Sequence, residues 1–441
     1  MEPVHRRGRP GGRGMSVRGT TTRWRRKAAR VLTKSVHALT SPSATAAWIW
    51  LLMTVRGFLS SDRRSHLGKV DSILVIRLDA IGDVLMTGPF LRELRRGYPR
   101  ARITLVVAPR VLNLVETCPY VDRVLIHHVP PATRWWHPLS RRLIHLSFAR
   151  HELWPERYDM AVVPRWGEDH HEATILACLS GAPDRVGYAA RCEGRQRRHD
   201  RYDRFLTRVI DDRSVKHEVQ RNVDLLSGLA IPASSRQQRL EVWLTDEDQS
   251  FANRIVTSSN ASKLVALGPG AGSPKRMWPI ERVEEVGRWL ADGGARLVVV
   301  GGPGDEGLGE HLSRRIGDEV IDLTNRATIR ETAAVLAHCS LFCGNDSGPM
   351  HLAAAVRVPI VEISCHPLLG DELHPNSPNR FGPWGVPRRV VQPDRPKDGC
   401  AAGCRVESPH CILNVRVDSV MAAIESLTVE TSVVEGSADA S

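Results

Sequence analysis

Four glycine-bearing turns hold the residues best able to do chemistry, and each follows a short apolar run. The first lies in VIRLDAIGDVLMTGPFLREL, 75–94. Gly82 permits a tight turn and close approach of a ligand to backbone. Asp83 then falls at the start of a helix, where the dipole favours its ionised form. A carboxylate at a cleft mouth can take a proton from an attacking hydroxyl. An ordinary capping aspartate explains the same spacing. The second turn is in LGPGAGSPKRMWPIERV, 267–283. Gly268, Gly270 and Gly272 leave backbone N–H groups open, and Lys275 adds a cation, a set suited to a diphosphate. No Gly-Lys-Ser/Thr follows at the spacing of a Walker A loop.

The third turn, VVVGGPGDEG (298–307), places Asp305 and Glu306 where either acid could bond a ribose hydroxyl pair. Its glycines do not make a dinucleotide fingerprint. In the fourth, FCGNDSGPMHLAAAV (342–356), the chain turns through Asp346, Ser347 and Gly348 into an alanine-rich helix. Pro349 cannot donate, but the N–H groups of Ser347, Gly348 and Met350 can hold phosphate oxygens, with His351 close behind. A capping turn explains this stretch equally well. The Asp246–Glu247–Asp248 run reads as a solvated helix cap rather than a metal-binding D-x-D motif. Cys400, Cys404, His410 and Cys411 cluster in sequence but lack tight Cys-x-x-Cys pairs. We read them as a loop held by packing or a disulfide, and expect no metal.

These turns need elements to carry them. Apolar runs at 73–78, 103–108, 121–126 and 158–163 alternate with helix-like stretches at 87–96 and 168–179. Further runs at 264–267, 297–300, 320–323, 340–343 and 360–363 alternate with helices at 280–292, 307–316, 329–338 and 350–356. Apolar strands separated by amphipathic helices predict parallel sheets covered on both faces. The alternation breaks near 235–245. The expected domains are therefore 70–238 and 239–428, both doubly wound α/β and facing a central cleft, with a polar, disordered tail at 429–441.

The formal net charge of +12 over 441 residues is unevenly placed. Residues 1–70 hold fifteen Lys/Arg against two acids, so the rest is near neutral. A basic arm at 1–69 suits an anionic surface. Its apolar stretch at 44–55 is too short to span a bilayer; Trp48 and Trp50 suit an interfacial anchor, and a helix packed on the first domain explains the segment equally well. Low aromatic content argues against a nucleic-acid platform, and no nucleic acid is expected. Nine scattered cysteines, an odd number, suit a reducing compartment.

Taken in order, IGDVLMTGP, PGAGSPKRMWP, GGPGDE and NDSGPMHLAAA resemble the family 9 glycosyltransferases, the ADP-heptose:lipopolysaccharide heptosyltransferase family. The resemblance runs from about residue 70 to 425. It implies a GT-B fold, with acceptor bound by the first Rossmann-like domain and donor by the second. It implies Asp83 as catalytic base and Lys275 as the donor-phosphate lysine. Asp305, or else Glu306, becomes the ribose acid, and Asp346, Ser347 and Gly348 the phosphate loop. The implied reaction is inverting and metal-independent, with an ADP-sugar donor, no cofactor, and a glycolipid or polysaccharide acceptor. The charge of the arm and its Trp48/Trp50 segment, which lie outside the family core, place the expected location at the cytoplasmic face of the inner membrane, held peripherally. Lys275 departs from the family pattern, which sets its lysine closer to the Trp-Pro pair. A nucleotide-sugar epimerase and a non-catalytic envelope scaffold are the competing readings.

Overall fold

A short strand that is apolar on both faces must be covered by helices on both sides. The chain builds two sheets of that kind. β1 (Ser72–Arg77), β2 (Arg102–Val107), β3 (Arg123–Ile126), β4 (Met160–Val163), β5 (Asp184–Tyr188) and β6 (Arg208–Ile210) form the first. β7 (Leu264–Gly268), β8 (Arg296–Val299), β9 (Val320–Asp322), β10 (Leu341–Asn345), β11 (Ile360–Ile363) and β12 (Arg388–Val391) form the second. Strand orders are 3-2-1-4-5-6 and 12-11-10-7-8-9, and every pairing is parallel. In each sheet the chain winds outward, then returns to the other side of its first strand. That reversal opens a crevice at the carboxyl ends of β1 and β4, and another at those of β7 and β10.

This computed structural model describes residues 70–129, 137–189, 202–232, 238–259, 263–398, 400, 406 and 408–438. The basic arm with Trp48 and Trp50, Cys404 and residues 439–441 lie outside the described residues. No helix among the described residues is long and apolar enough to cross a membrane.

The central strands are buried throughout: Ile73, Val75, Ile103, Val162, Val265, Leu297, Phe342 and Val361 are all fully covered. β5, β6 and β12 are the strands that hydrophobic patterning did not predict. Their sequences, DRVGY, RVI and RRVV, carry arginine where an apolar run would stand. β6 and β12 are sheet edges, where a charged side chain costs little because one flank faces solvent.

Two sequence expectations need correction. The tail expected to be disordered from Val429 continues as helix, Val417–Ala438. That helix seats Val420, Ile424 and Leu427 in the core of the second sheet. Asp248, expected to be solvated, is buried and accepts from Thr245 N (2.9 Å) and Arg330 Nε (2.8 Å).

Candidate active site

β1 ends in Arg77, whose guanidinium is buried. An arginine is not neutralised by burial, so it must be paired. Its Nη1 donates to Pro164 O, which follows β4, and its Nε lies 3.3 Å from Asp79. Asp79 is paired in turn with Arg165. The two loops flanking the first crevice are thus tied by alternating charges. The free end of the chain of pairs is Asp83, whose Oδ1 accepts from Arg77 Nη2 at 2.9 Å. Its Oδ2 accepts from Ala80 N at 3.2 Å, fixing the carboxylate at the start of the helix Ile81–Gly97. Asp83 keeps 27% of its side chain exposed.

In the second crevice, β7 and β10 approach so closely that a Cβ on Gly344 would lie 2.8 Å from Gly268 Cα. Asn345 closes the end of β10. It donates to Pro269 O (2.6 Å) and accepts from Trp278 N (3.2 Å), which pins the loop after β7. Trp278 is buried and donates from Nε1 to Val415 O (3.1 Å), which packs the entry to the helix Ile280–Asp292. Asp346 then accepts from Arg276 Nη1 at 3.1 Å. Ser347 starts the helix Gly348–Ala355. Its hydroxyl caps nothing and has no hydrogen-bond partner although it is buried. Glu362, on β11, is also buried with Oε2 unpartnered. Burial, with the nearby charge of Asp346, holds its carboxyl well above the usual range.

The loop after β8 folds back on the loop after β7. A Cβ on Gly270 would lie 2.5 Å from Asp305 Cγ. Asp305 Oδ2 accepts from Gly302 N (2.9 Å), and burial raises its pKa. Glu306 has both oxygens engaged, by Gly304 N (2.8 Å) and Asn325 Nδ2 (2.7 Å). Its pKa is lowered, chiefly by its own N–H and that of Gly304. Only Asp305 presents its carboxyl to the β7 loop.

The helices Ile81–Gly97 and Gly348–Ala355 meet directly. A Cβ on Gly82 would lie 2.8 Å from His351 Nε2, and one on Gly348 would lie 3.4 Å from Ile81 Cβ. His351 is buried beside Asp346 (Nε2 to Oδ1, 3.9 Å), and its Nδ1 has no hydrogen-bond partner. Burial lowers its pKa, against the opposing pull of Asp346 and Asp83. Asp83, Asp346, Ser347 and His351 are therefore gathered around one contact. Met350 instead points into the core, fully buried.

Lys275 is not in this group. It lines a cavity of about 100 Å³ with Cys365, His366, His374, Cys400 and Cys411. Its neighbour Arg276 takes the place beside Asp346. Arg77, Arg276 and Glu362 are the site residues that sequence reasoning missed. Arg276 had a signal, since it stands closer to the Trp-Pro pair than Lys275 does.

A model of glycosyltransferase family 9 (heptosyltransferase) matches residues 148–405. Lipopolysaccharide heptosyltransferase 2 of Escherichia coli (strain K12) is 25% identical over 335 residues, covering 73% of this chain and 87% of that protein. The solved family 9 glycosyltransferase of Veillonella parvula aligns with a TM-score of 0.66 at 22% identity, over 82% of this chain and 98% of that one. The E. coli ADP-heptose lps heptosyltransferase II structure aligns at 0.61 and 21%, over 82% and 99%. The fold shared with these structures is GT-B, two Rossmann-like α/β domains.

Proposed function

The chain belongs to glycosyltransferase family 9, and from that premise we propose that it moves a heptose from ADP-heptose to a hydroxyl of a cell-envelope glycolipid or polysaccharide. The carrying observation is the contact of Gly82 with His351. It sets an aspartate held by arginine beside a helix start whose serine hydroxyl lacks a partner. The relatives' names, lipopolysaccharide heptosyltransferase, supply the sugar and the acceptor class.

In this reading the acceptor oxygen attacks the anomeric carbon and Asp83 takes its proton. The bond from that carbon to the β-phosphate oxygen breaks, and ADP leaves with the electron pair. A single displacement inverts the carbon. Arg276, the Ser347 hydroxyl and the N–H groups of Ser347, Gly348 and Met350 stabilise the charge growing on ADP, so the step needs no metal. Asp305 bonds the ribose, because Glu306 is already engaged. The first domain binds acceptor and the second binds donor. The arm 1–69 holds the enzyme against anionic lipid at the inner face of the membrane.

The test is ADP release from ADP-heptose with a lipopolysaccharide-core acceptor. Wild type should turn over. Asp83→Ala should bind ADP, seen as a thermal shift, yet release almost none. A wild-type protein that ADP does not stabilise would remove the donor assignment. Full turnover by Asp83→Ala would remove the base. For the arm, deletion of residues 1–60 should abolish sedimentation with anionic vesicles, and unchanged sedimentation would refute that role.

A further inference from the structure

Beyond β12 the chain brings together three side chains that ligate metals. The sulfurs of Cys400 and Cys411 and a ring nitrogen of His410 all lie within 4.8 Å of one another. Zinc binds sulfur at ~2.3 Å and imidazole at ~2.0–2.1 Å in a tetrahedron, which sets ligand atoms ~3.4–3.8 Å apart. Closing the set onto an ion therefore takes side-chain movements of about an ångström.

Three further features suit an ion. First, His410 is already oriented: its Nδ1 lies 2.8 Å from Ser408 O. A carbonyl can only accept, so Nδ1 carries the proton and Nε2 keeps its lone pair, the arrangement of a metal-bound histidine. Second, Cys411 is fixed. It is buried at the start of the turn Cys411–Asn414, whose Ile412 lies in the core. The N–H of Lys397 is directed at its sulfur, at 3.4 Å. Third, no disulfide joins Cys400 to Cys411, and all three residues line the cavity that also holds Lys275. Two sulfurs and an imidazole form a soft set that suits zinc and not magnesium or calcium.

We propose that Cys400, His410 and Cys411 hold a structural zinc ion, its fourth position facing the cavity lined by Lys275. The ion would sit beside the turn Pro274–Arg276, whose Lys275 lines the same cavity and whose Arg276 reaches Asp346. The proposal stands on these ligands alone, whatever sugar the enzyme transfers.

The experiment is metal analysis of the full chain, purified under reducing conditions without chelator and incubated with zinc. About one zinc per chain should survive gel filtration. Cobalt in its place should give the visible absorption of a tetrahedral thiolate site. Cys400→Ser and His410→Gln should each lower zinc affinity by more than the ~10–100-fold lost with an outer hydrogen-bond partner, while circular dichroism shows them folded. Those two positions carry the test, since Cys411→Ser risks misfolding at a buried position. The proposal is overturned if the folded wild type takes up no zinc, if both variants keep it undiminished, or if mass spectrometry finds a Cys400–Cys411 disulfide in the native chain.

Discussion

The two crevices use charge in opposite ways. Beside β1 every charge is answered: Asp83 by Arg77 and Ala80 N, Arg77 by Pro164 and Asp79, Asp79 by Arg165. Beside β10 several buried groups wait: Ser347 Oγ, His351 Nδ1 and Glu362 Oε2 have no hydrogen-bond partner. A buried unpaired polar group costs about 1–3 kcal/mol. The first region therefore holds its carboxylates in place before a ligand arrives, although Arg77 Nε, 3.3 Å from Asp79, makes no hydrogen bond. The second carries unmet hydrogen-bonding capacity that a phosphate would satisfy.

The sharpest way to break this contrast is at its two most charged points. Asp83→Asn keeps the shape but removes the proton acceptor, so kcat should fall by ~10²–10⁴, with ADP affinity unchanged in a calorimetric titration. A parallel loss of ADP affinity would mean that the first crevice also binds donor. On the other side, Arg276→Ala should weaken ADP binding by ~10–100-fold, since hydrogen bonds to charged groups contribute about 1.5–3 kcal/mol. Lys275→Ala should cost less, because that side chain lines the cysteine cavity. If Lys275→Ala costs more than Arg276→Ala, the lysine named by sequence is the phosphate ligand after all.

The contrast also explains what the sequence could show. Strand-turn-helix patterns marked all four turns, because glycine and apolar periodicity are local properties. Asp83 and Asp346 were legible for that reason. Arg77 was not. It sits in an apolar strand as one residue among VIRL, and its worth comes from Pro164 and Asp79, placed beside it only by folding. Glu362 within IVEI was hidden the same way, as was the engagement of Glu306 by Gly304 and Asn325, which sets it apart from Asp305. That Arg276 reaches Asp346 while Lys275 lines a separate cavity was hidden because adjacent residues leave a tight turn in different directions. Pattern marks the turn but not the direction of each side chain.

A smaller effect tests whether the two regions depend on each other. Gly82→Ala puts a methyl group against the His351 ring. Such overpacking costs about 1–3 kcal/mol, read as a lower urea midpoint, and it should reduce both turnover and ADP affinity. Gly88 offers the control on the same helix, since nothing lies within 4 Å of its would-be Cβ. Gly88→Ala should be neutral or stabilise by up to ~1 kcal/mol. Equal behaviour of the two variants would mean that the helices tolerate separation at Gly82.

The smallest effect concerns pH, and it separates burial from pairing. His217 accepts from Val219 N (3.2 Å) through Nδ1, and its Nε2 faces Gly382 O (2.9 Å), a carbonyl that only accepts, so the ring is neutral. Burial, opposed by the bond to Gly382, pulls its pKa down to about 3. The unfolded chain titrates this ring near ~6.5. Between those values the unfolded state binds more protons, so stability is present above ~6.5 and is lost as pH falls toward 3. One such proton gives a slope of up to ~1.4 kcal/mol per pH unit. His127, also pulled down to about 3 by burial, adds in the same direction. Urea unfolding at pH 7 and pH 5 should therefore show wild type losing stability on acidification, and His217→Gln losing less. If the variant loses as much as wild type, the ring titrates normally in the fold. The capped turn at Val219 would then tolerate a proton on Nδ1, which its hydrogen bond forbids.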